Sequence, residues 1–337
     1  MKSKKILYIG NNLSEKTNYT TTMETLSNLL FKENFIIYKS SNKKNKFLRL
    51  LDMCWSLIYF NRSLDFVLID TFSTKNFYFA FVISQLARVF NIKYIPILHG
   101  GNLPYRIDSS KFYSKLIFNN SYANVAPSNY LKNAFEKRGY KVDFIPNVLE
   151  IEKYNFKERK KLKPNLLWVR AFKDIYNPAL AIEVLFLLKK RYPSANLCMI
   201  GPNNDASYME VKKLIDKYKL QNSVEITGVL SKEEWHEKST KFDILINTTN
   251  IDNTPVSIME AMALGLVVVS TNAGGIPFLI DDGFTGLIVE KDNPEEMTNA
   301  VLRILSDNNT LITKNAFKKV QSFGWQEVRV KWLNLLN

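Results

Sequence analysis

The segment Asp252-Asn253-Thr254-Pro255-Val256-Ser257-Ile258-Met259-Glu260-Ala261-Met262-Ala263-Leu264-Gly265 holds the densest set of groups able to do chemistry. It follows a β-rich run. Thr254 with Pro255 reads as N-cap and first helical residue, and Gly265 as the stop. A helix starting at a strand end presents unpaired N–H groups and a positive dipole end, worth about 0.3–2 kcal/mol per anionic charge. That predicts a phosphate seat. Glu260 lies eight residues beyond Asp252, so two carboxylates bracket the helix start. A carboxylate in the apolar stretch Val256–Ala263 is costly to bury unless it accepts hydrogen bonds, and vicinal ribose hydroxyls are natural donors; the alternative is an exposed position on a polar helix face.

Two more positions qualify. Arg170 follows the run Leu166–Val169 and carries a planar, always-charged fork suited to phosphate oxygens, a surface charge at a strand end being the alternative. His99 ends an apolar run and precedes Gly100 and Gly101, where a backbone can approach a ligand closely. It reads as a general base or as a packed strand-end residue. The other histidine, His236, falls on a charged helix and is given no role. With two histidines in the chain no zinc cluster is expected.

The elements that must position these residues alternate between short β-rich runs and longer amphipathic stretches, the pattern of parallel sheets covered by helices. Strands are expected at Lys5–Gly10, Phe35–Lys39, Asp65–Asp70, Lys93–His99, Asn124–Ala126 and Val142–Pro146. Six more are expected at Leu166–Val169, Asn196–Ile200, Val224–Gly228, Phe242–Asn247, Leu266–Ser270 and Gly286–Val289. Helices are expected among others at Thr74–Phe90, Asn129–Arg138, Pro178–Arg191, Pro255–Leu264 and Pro294–Leu305. Between the two series, Glu150–Pro164 has nine charged residues in fifteen and no β-pattern, and reads as a linker. The expected organisation is a first domain over 1–150, a linker over 151–164, a second domain over 165–315 and a closing helix over 316–337. Ligands of open α/β sheets sit at the carboxyl ends of the strands, so function is expected in a cleft between two such domains.

A length of 337 residues with 46% hydrophobic and 23% charged residues suits about two globular domains and excludes a disordered or collagen-like chain. Two cysteines make no disulfide framework and fit a reducing compartment. The four apolar residues Ile6–Ile9 are too few for a signal-peptide core, and no segment is expected to span a membrane. The net charge of +14 is uneven: residues 1–150 hold 21 Lys+Arg against 10 Asp+Glu. Nucleic acid, an anionic membrane surface or an acidic small molecule would each be drawn to that half, unless it is simply a solubilising surface.

The Asp252–Gly265 segment resembles the acidic-x7-acidic signature of GT-B glycosyltransferases, in particular the large family-four retaining group (glycosyl transferases group 1). Gly265-Leu266-Val267-Val268-Val269-Ser270-Thr271-Asn272-Ala273-Gly274-Gly275-Ile276-Pro277 continues it as in those enzymes. Further matches are Ile145-Pro146-Asn147, Trp168-Val169-Arg170 and Gly283-Phe284-Thr285-Gly286. The likeness is good from about Lys93 onward and weak over the first 90 residues. It implies an α/β GT-B fold, two Rossmann-like doubly wound domains facing across a cleft. It further implies that Glu260 holds a nucleotide ribose and Asp252 the donor sugar's hydroxyls. Backbone N–H groups near Asn253, Thr254, Val256 and Ser257, with the Gly274-Gly275 loop, would then face a diphosphate paired with Arg170 and assisted by Lys173. His99 would stand on the acceptor side with Gly10, Gly100 and Gly101. The tail from Phe323-Gly324-Trp325 to Leu336 resembles the segment that crosses back onto the first domain.

Three departures mark a divergent branch: Asp252 where many members have Glu, Phe278 where a carboxylate is common, and Asp174-Ile175-Tyr176-Asn177 in place of a Lys-Gly pair. In this chemistry the diphosphate leaves as the sugar becomes oxocarbenium-like, so a fixed cation at the leaving group favours the transition state, and no metal or other cofactor is expected. The expected function is a cytoplasmic, metal-independent retaining glycosyltransferase. It would move a sugar from a nucleotide-sugar donor to a glycan hydroxyl in surface polysaccharide or lipopolysaccharide assembly. The basic first half suggests a lipid-linked acceptor at a peripheral anionic membrane surface. The rivals are a nucleotide-sugar epimerase of the same fold and a non-catalytic basic protein binding nucleic acid. The latter is set aside for want of a nucleic-acid motif.

Overall fold

A computed structural model describes residues 3–10, 21–43 and 45–337. The chain divides into two compact units, one running to Val148 and including Trp325–Asn337, the other Leu149–Gly324.

In the first unit the strands are β1 (Lys5–Ile9), β2 (Ile36–Ser40), β3 (Phe66–Thr71), β4 (Lys93–Leu98), β5 (Val125–Ala126) and β6 (Asp143–Phe144). They form one parallel sheet ordered β2-β1-β3-β4-β5-β6. Its helices before Val148 are α1 (Thr22–Lys32), α2 (Lys46–Phe60), α3 (Phe77–Val89), α4 (Leu103–Ser109), α5 (Lys111–Phe118) and α6 (Asn129–Glu136). β3 is buried along its whole length, as a parallel strand covered on both faces must be. Leu26, Leu29 and Leu30 of α1 pack with Trp325, Val328 and Trp332 against Ile6, Tyr8 and Leu68. Met53, Leu57 and Ile83 pack with Leu7, Ile9 and Val67. Alternate residues of one strand thus point into different helix layers, which is the doubly wound arrangement.

The second unit has β7 (Asn165–Val169), β8 (Asn196–Ile200), β9 (Val224–Gly228), β10 (Ile244–Asn247), β11 (Val267–Thr271) and β12 (Leu287–Val289), all parallel in the order β12-β11-β10-β7-β8-β9. Its helices are α7 (Pro178–Lys189), α8 (Ala206–Lys217), α9 (Lys232–Ser239), α10 (Val256–Ala263), α11 (Ile276–Leu279), α12 (Pro294–Asp307) and α13 (Leu311–Gln321). The closing helix α14 (Trp325–Leu336) belongs to the first unit. The chain order of the strands reverses between β7 and β10 in this sheet and between β1 and β3 in the other. Such switch points are where open α/β sheets bind ligands.

The boundaries differ from the sequence expectation in two places. Glu150–Pro164 is no free linker: it lies in the second unit and buries Tyr154, Arg159 and Leu162. Arg159 is 3% exposed and donates to the carbonyls of Phe242 and Leu264 at 2.8 and 3.0 Å while pairing with Asp243 at 3.1 Å. A charge-rich segment is here a clamp, because its one buried charge is fully partnered. Residues 316–324 also stay with the second unit, and the return to the first begins at Trp325. Among the described residues no helix is long and apolar enough to cross a membrane.

Candidate active site

In the second unit the carboxyl ends of the two switch-point strands bring Arg170 and Asp252 together. The Arg170 Nη2 donates to Asp252 Oδ2, and its guanidinium lies 4.9 Å from the Tyr176 ring centre. Arg170 Nε is buried without a hydrogen-bond partner. Asp252 Oδ1 accepts the Asn253 N–H at 2.8 Å. Burial raises the Tyr176 phenol pKa, with Arg170 opposing the shift.

The helix start is one residue later than the sequence suggests. Pro255, with φ −66° and ψ 112°, is the N-cap and Val256 is the first residue of α10. Thr254 therefore does not cap the helix, and its Oγ1 is buried without a partner. Proline has no side chain able to cap, so the first-turn amides, Val256 and Ser257 among them, have no side-chain acceptor. The whole run Ser257–Ala263 is buried. A buried helix mouth with no cap, beside two orphaned polar atoms, is a place where an anion satisfies several donors at once. Gly265, with φ +76°, ends the helix as expected.

Glu260 is buried rather than exposed, at 5%, and does not face solvent from a polar helix side. Its Oε1 accepts from the Tyr154 hydroxyl at 2.9 Å and from Lys232 Nζ at 3.0 Å. Burial and the Glu260 carboxylate together push the Tyr154 phenol well above its ordinary range. His236 on α9 lies 4.7 Å from the Tyr154 ring; burial, aided by Lys232, pushes its pKa down to about 4.

Gly274 and Gly275 hold this loop from behind. A Cβ on Gly274 would lie 1.9 Å from the Asp252 carbonyl oxygen, and one on Gly275 1.7 Å from that of Asn253. Gly275 N–H donates to the Asp252 carbonyl at 3.1 Å. Their lack of side chains is thus demanded by the neighbouring backbone that carries Asp252 and Asn253. Gly201, where a Cβ would meet the Arg170 carbonyl at 1.8 Å, does the same for Arg170. Lys173 is exposed, makes no ion pair among the described residues, and its carbonyl accepts from the Tyr176 N–H at 2.8 Å to close a short turn.

In the first unit the other switch point gathers Gly10, Asp70 and His99. Asp70 Oδ1 accepts from the Tyr8 hydroxyl at 3.0 Å and lies 3.0 Å from His99 Nε2. Burial, then Asp70, pushes the Tyr8 phenol well up. The Asp70 carboxylate thus orients the His99 ring through Nε2. A Cβ at position 10 would meet Asp70 Oδ2 at 2.3 Å, so Gly10 leaves room for the Asp70 carboxylate. Tyr8, His99, Asn147 and Trp332 help line a small cavity of about 20 Å³. Gly101 accepts from the Tyr130 hydroxyl at 3.0 Å, and Gly100 has φ +106°.

Sequence reading missed Asp70, Tyr8, Tyr154 and Lys232. Asp70 carried a usable signal, a carboxylate closing an apolar strand, which is the criterion applied to His99. Tyr154 carried none, since it lay in the segment read as a linker. Among the described residues no three His, Cys, Asp or Glu side chains come together as a metal would require.

Two parallel doubly wound units with their polar side chains at the strand switch points define the GT-B class of fold. The family model for glycosyl transferases group 1 matches residues 150–319, and the chain belongs to that family. It is 28% identical over 160 residues to the poly(glycerol-phosphate) alpha-glucosyltransferase of Bacillus subtilis (strain 168), covering 47% of this chain and 23% of that protein. The chain thus spans about a quarter of that relative's length. The fold superposes on sucrose-phosphate synthase from Thermosynechococcus elongatus with a TM-score of 0.82 at 16% identity, covering 98% of each chain. It superposes on Anabaena HepE, solved with UDP and glucose, with a TM-score of 0.78 at 15% identity, covering 99% of each.

Proposed function

We propose that this chain is a retaining, metal-independent glycosyltransferase that moves a sugar from a nucleotide-sugar donor to a hydroxyl of a lipid-linked glycan in surface polysaccharide or lipopolysaccharide assembly. The uncapped, buried mouth of α10, with Arg170 beside it, is the observation that carries the reading. Membership of glycosyl transferases group 1 and the polymer named for the Bacillus relative support it.

The amides of the α10 first turn and the Arg170 guanidinium receive the diphosphate, and Glu260, held by Tyr154 and Lys232, receives the ribose. Asp252 turns between Arg170 and the sugar hydroxyls. As the sugar C1–O bond to the diphosphate breaks, negative charge grows on the leaving oxygen beside Arg170, whose charge is already in place. The acceptor oxygen bonds C1 on the same face, and its proton passes to the departing phosphate oxygen. His99, oriented by Asp70, is an acceptor-side group, and the reaction takes place on the cytoplasmic side of a membrane.

A melting-temperature screen against UDP-, GDP-, ADP- and TDP-sugars tests the donor assignment, because a ligand bound only to the folded chain stabilises it. No shift with any of them sinks it. The buried Asp70 carboxylate beside His99 is what an epimerase would also use. Donor turnover without acceptor, yielding a changed sugar still bearing its nucleotide, would favour that reading.

A further inference from the structure

The solvent face of α2 is not that of an ordinary surface helix. Phe47, Leu48, Leu51, Trp55, Ile58 and Tyr59 fall on one side at helical spacing and are 42–70% exposed. No charged residue interrupts them: Arg49 is buried and Asp52 half-buried, both off this stripe. Met53 and Leu57 on the opposite side fill the core, so the helix is apolar inside and out. Single exposed apolar residues are normal, but a continuous stripe three turns long marks an interaction surface.

The stripe does not stand alone. α2 packs beside α3, and α3 beside α5. At the α3–α5 contact Tyr78, Phe112 and Tyr113 are also exposed and meet edge to face, with centroids 5.7 and 5.5 Å apart. Residues 41–120 contain eleven Lys+Arg, four Asp and no Glu. Lys43, Lys46, Lys75, Lys111 and Lys115 are exposed. The four acids are engaged: Asp65 by the Lys5 N–H, Asp70 by Tyr8 and His99, Asp108 by Arg138, and Asp52 by Ser40.

We propose that the α2–α3–α5 face docks on an anionic lipid bilayer, with Trp55 and Tyr59 at headgroup level and the lysines against lipid phosphates. A second copy of the chain would cover the apolar stripe, but a two-fold interface sets like patches against each other and would bring the same uncompensated lysines together. An anionic bilayer answers both features. The proposal rests on the reading that the acceptor is held at a membrane, and it is measured without donor or acceptor, so the two readings fail separately.

The experiment is co-sedimentation of the full chain with phosphatidylcholine vesicles, with and without phosphatidylglycerol. Two variants accompany it, Leu51→Ser/Trp55→Ser/Tyr59→Ser and Lys43→Glu/Lys46→Glu. Wild type is expected to sediment with the anionic vesicles and weakly with the neutral ones. Each variant is expected to lose at least about tenfold in partitioning while melting as wild type does. Equal binding to both vesicles, binding to neither, or unchanged binding of the serine variant overturns the proposal. So does a dimeric wild type that the serine substitutions convert to monomer, which would make the face a contact between copies.

Discussion

Replacing Gly275 by alanine tests whether the loop carrying Asp252 is held in place by backbone contact. The added Cβ would lie 1.7 Å from the Asn253 carbonyl oxygen, whereas real Cβ atoms essentially never come within 3.0 Å. The two backbones must therefore part by about 1.3 Å, and neither side has a flexible end to give way. Overpacking of this kind costs about 1–3 kcal/mol, and for a unit of this size each 1 kcal/mol lowers Tm by roughly 2–4 °C. Displacing a substrate-positioning group by about 1 Å lowers kcat/KM on the order of 10²-fold. Gly139→Ala is the control: its Cβ meets nothing within 4 Å, and only the strain of φ +83°, about 1 kcal/mol, remains. The assay is transfer kinetics with the donor found by the melting screen, alongside thermal unfolding. A Gly275→Ala chain with wild-type kcat/KM and Tm would refute the buttress.

Arg170→Ala is expected to lower turnover roughly 10²–10³-fold through loss of the leaving-group cation, with a loss below about threefold in the folded variant counting against it. Glu260→Gln should weaken nucleotide binding in calorimetry by about tenfold or more, while Tyr154→Phe, which only removes a donor to that carboxylate, should weaken it less. Arg159→Met strands Asp243 and several carbonyls in the interior and should cost about 3–5 kcal/mol in denaturant unfolding; a loss under about 1 kcal/mol would remove the clamp. His236 has a folded pKa near 4 against an ordinary 6.5, so the unfolded chain binds the proton more readily. Its stabilising contribution is complete above pH 6.5 and is lost as pH falls toward 4. His236→Phe should flatten stability across that window, and an unchanged slope would contradict the assignment.

The inner strands β1, β3, β4, β7, β8, β10 and β11 are legible because a parallel strand buried on both faces is written as a short apolar run between turns, a local signal. Asn196–Ile200 and Val224–Gly228 match the expected spans to the residue, the first closed by Gly201. The partners of the site residues were not legible, because they join distant parts of the chain. Glu260 meets Tyr154 across 106 positions, and Asp70 meets His99 across 29. Local rules also failed where tertiary demand overrode them. Thr254 is a favoured cap by composition, yet Pro255 takes that place, and the glycines at 274 and 275 answer to the backbone of residues 252 and 253. Charge density misled at 150–164, since one buried arginine outweighs eight solvated neighbours in deciding where the segment lies.

The first unit is discontinuous in sequence, and this sets an order on its making. Trp325, Val328, Trp332 and Leu336 belong to the same apolar cluster as Ile6, Tyr8 and Leu68. During synthesis the earlier unit waits with part of its interior open to water until the ribosome has finished all of the later one. The second unit is free to fold first, and the first closes around a helix that the chain supplies only after it.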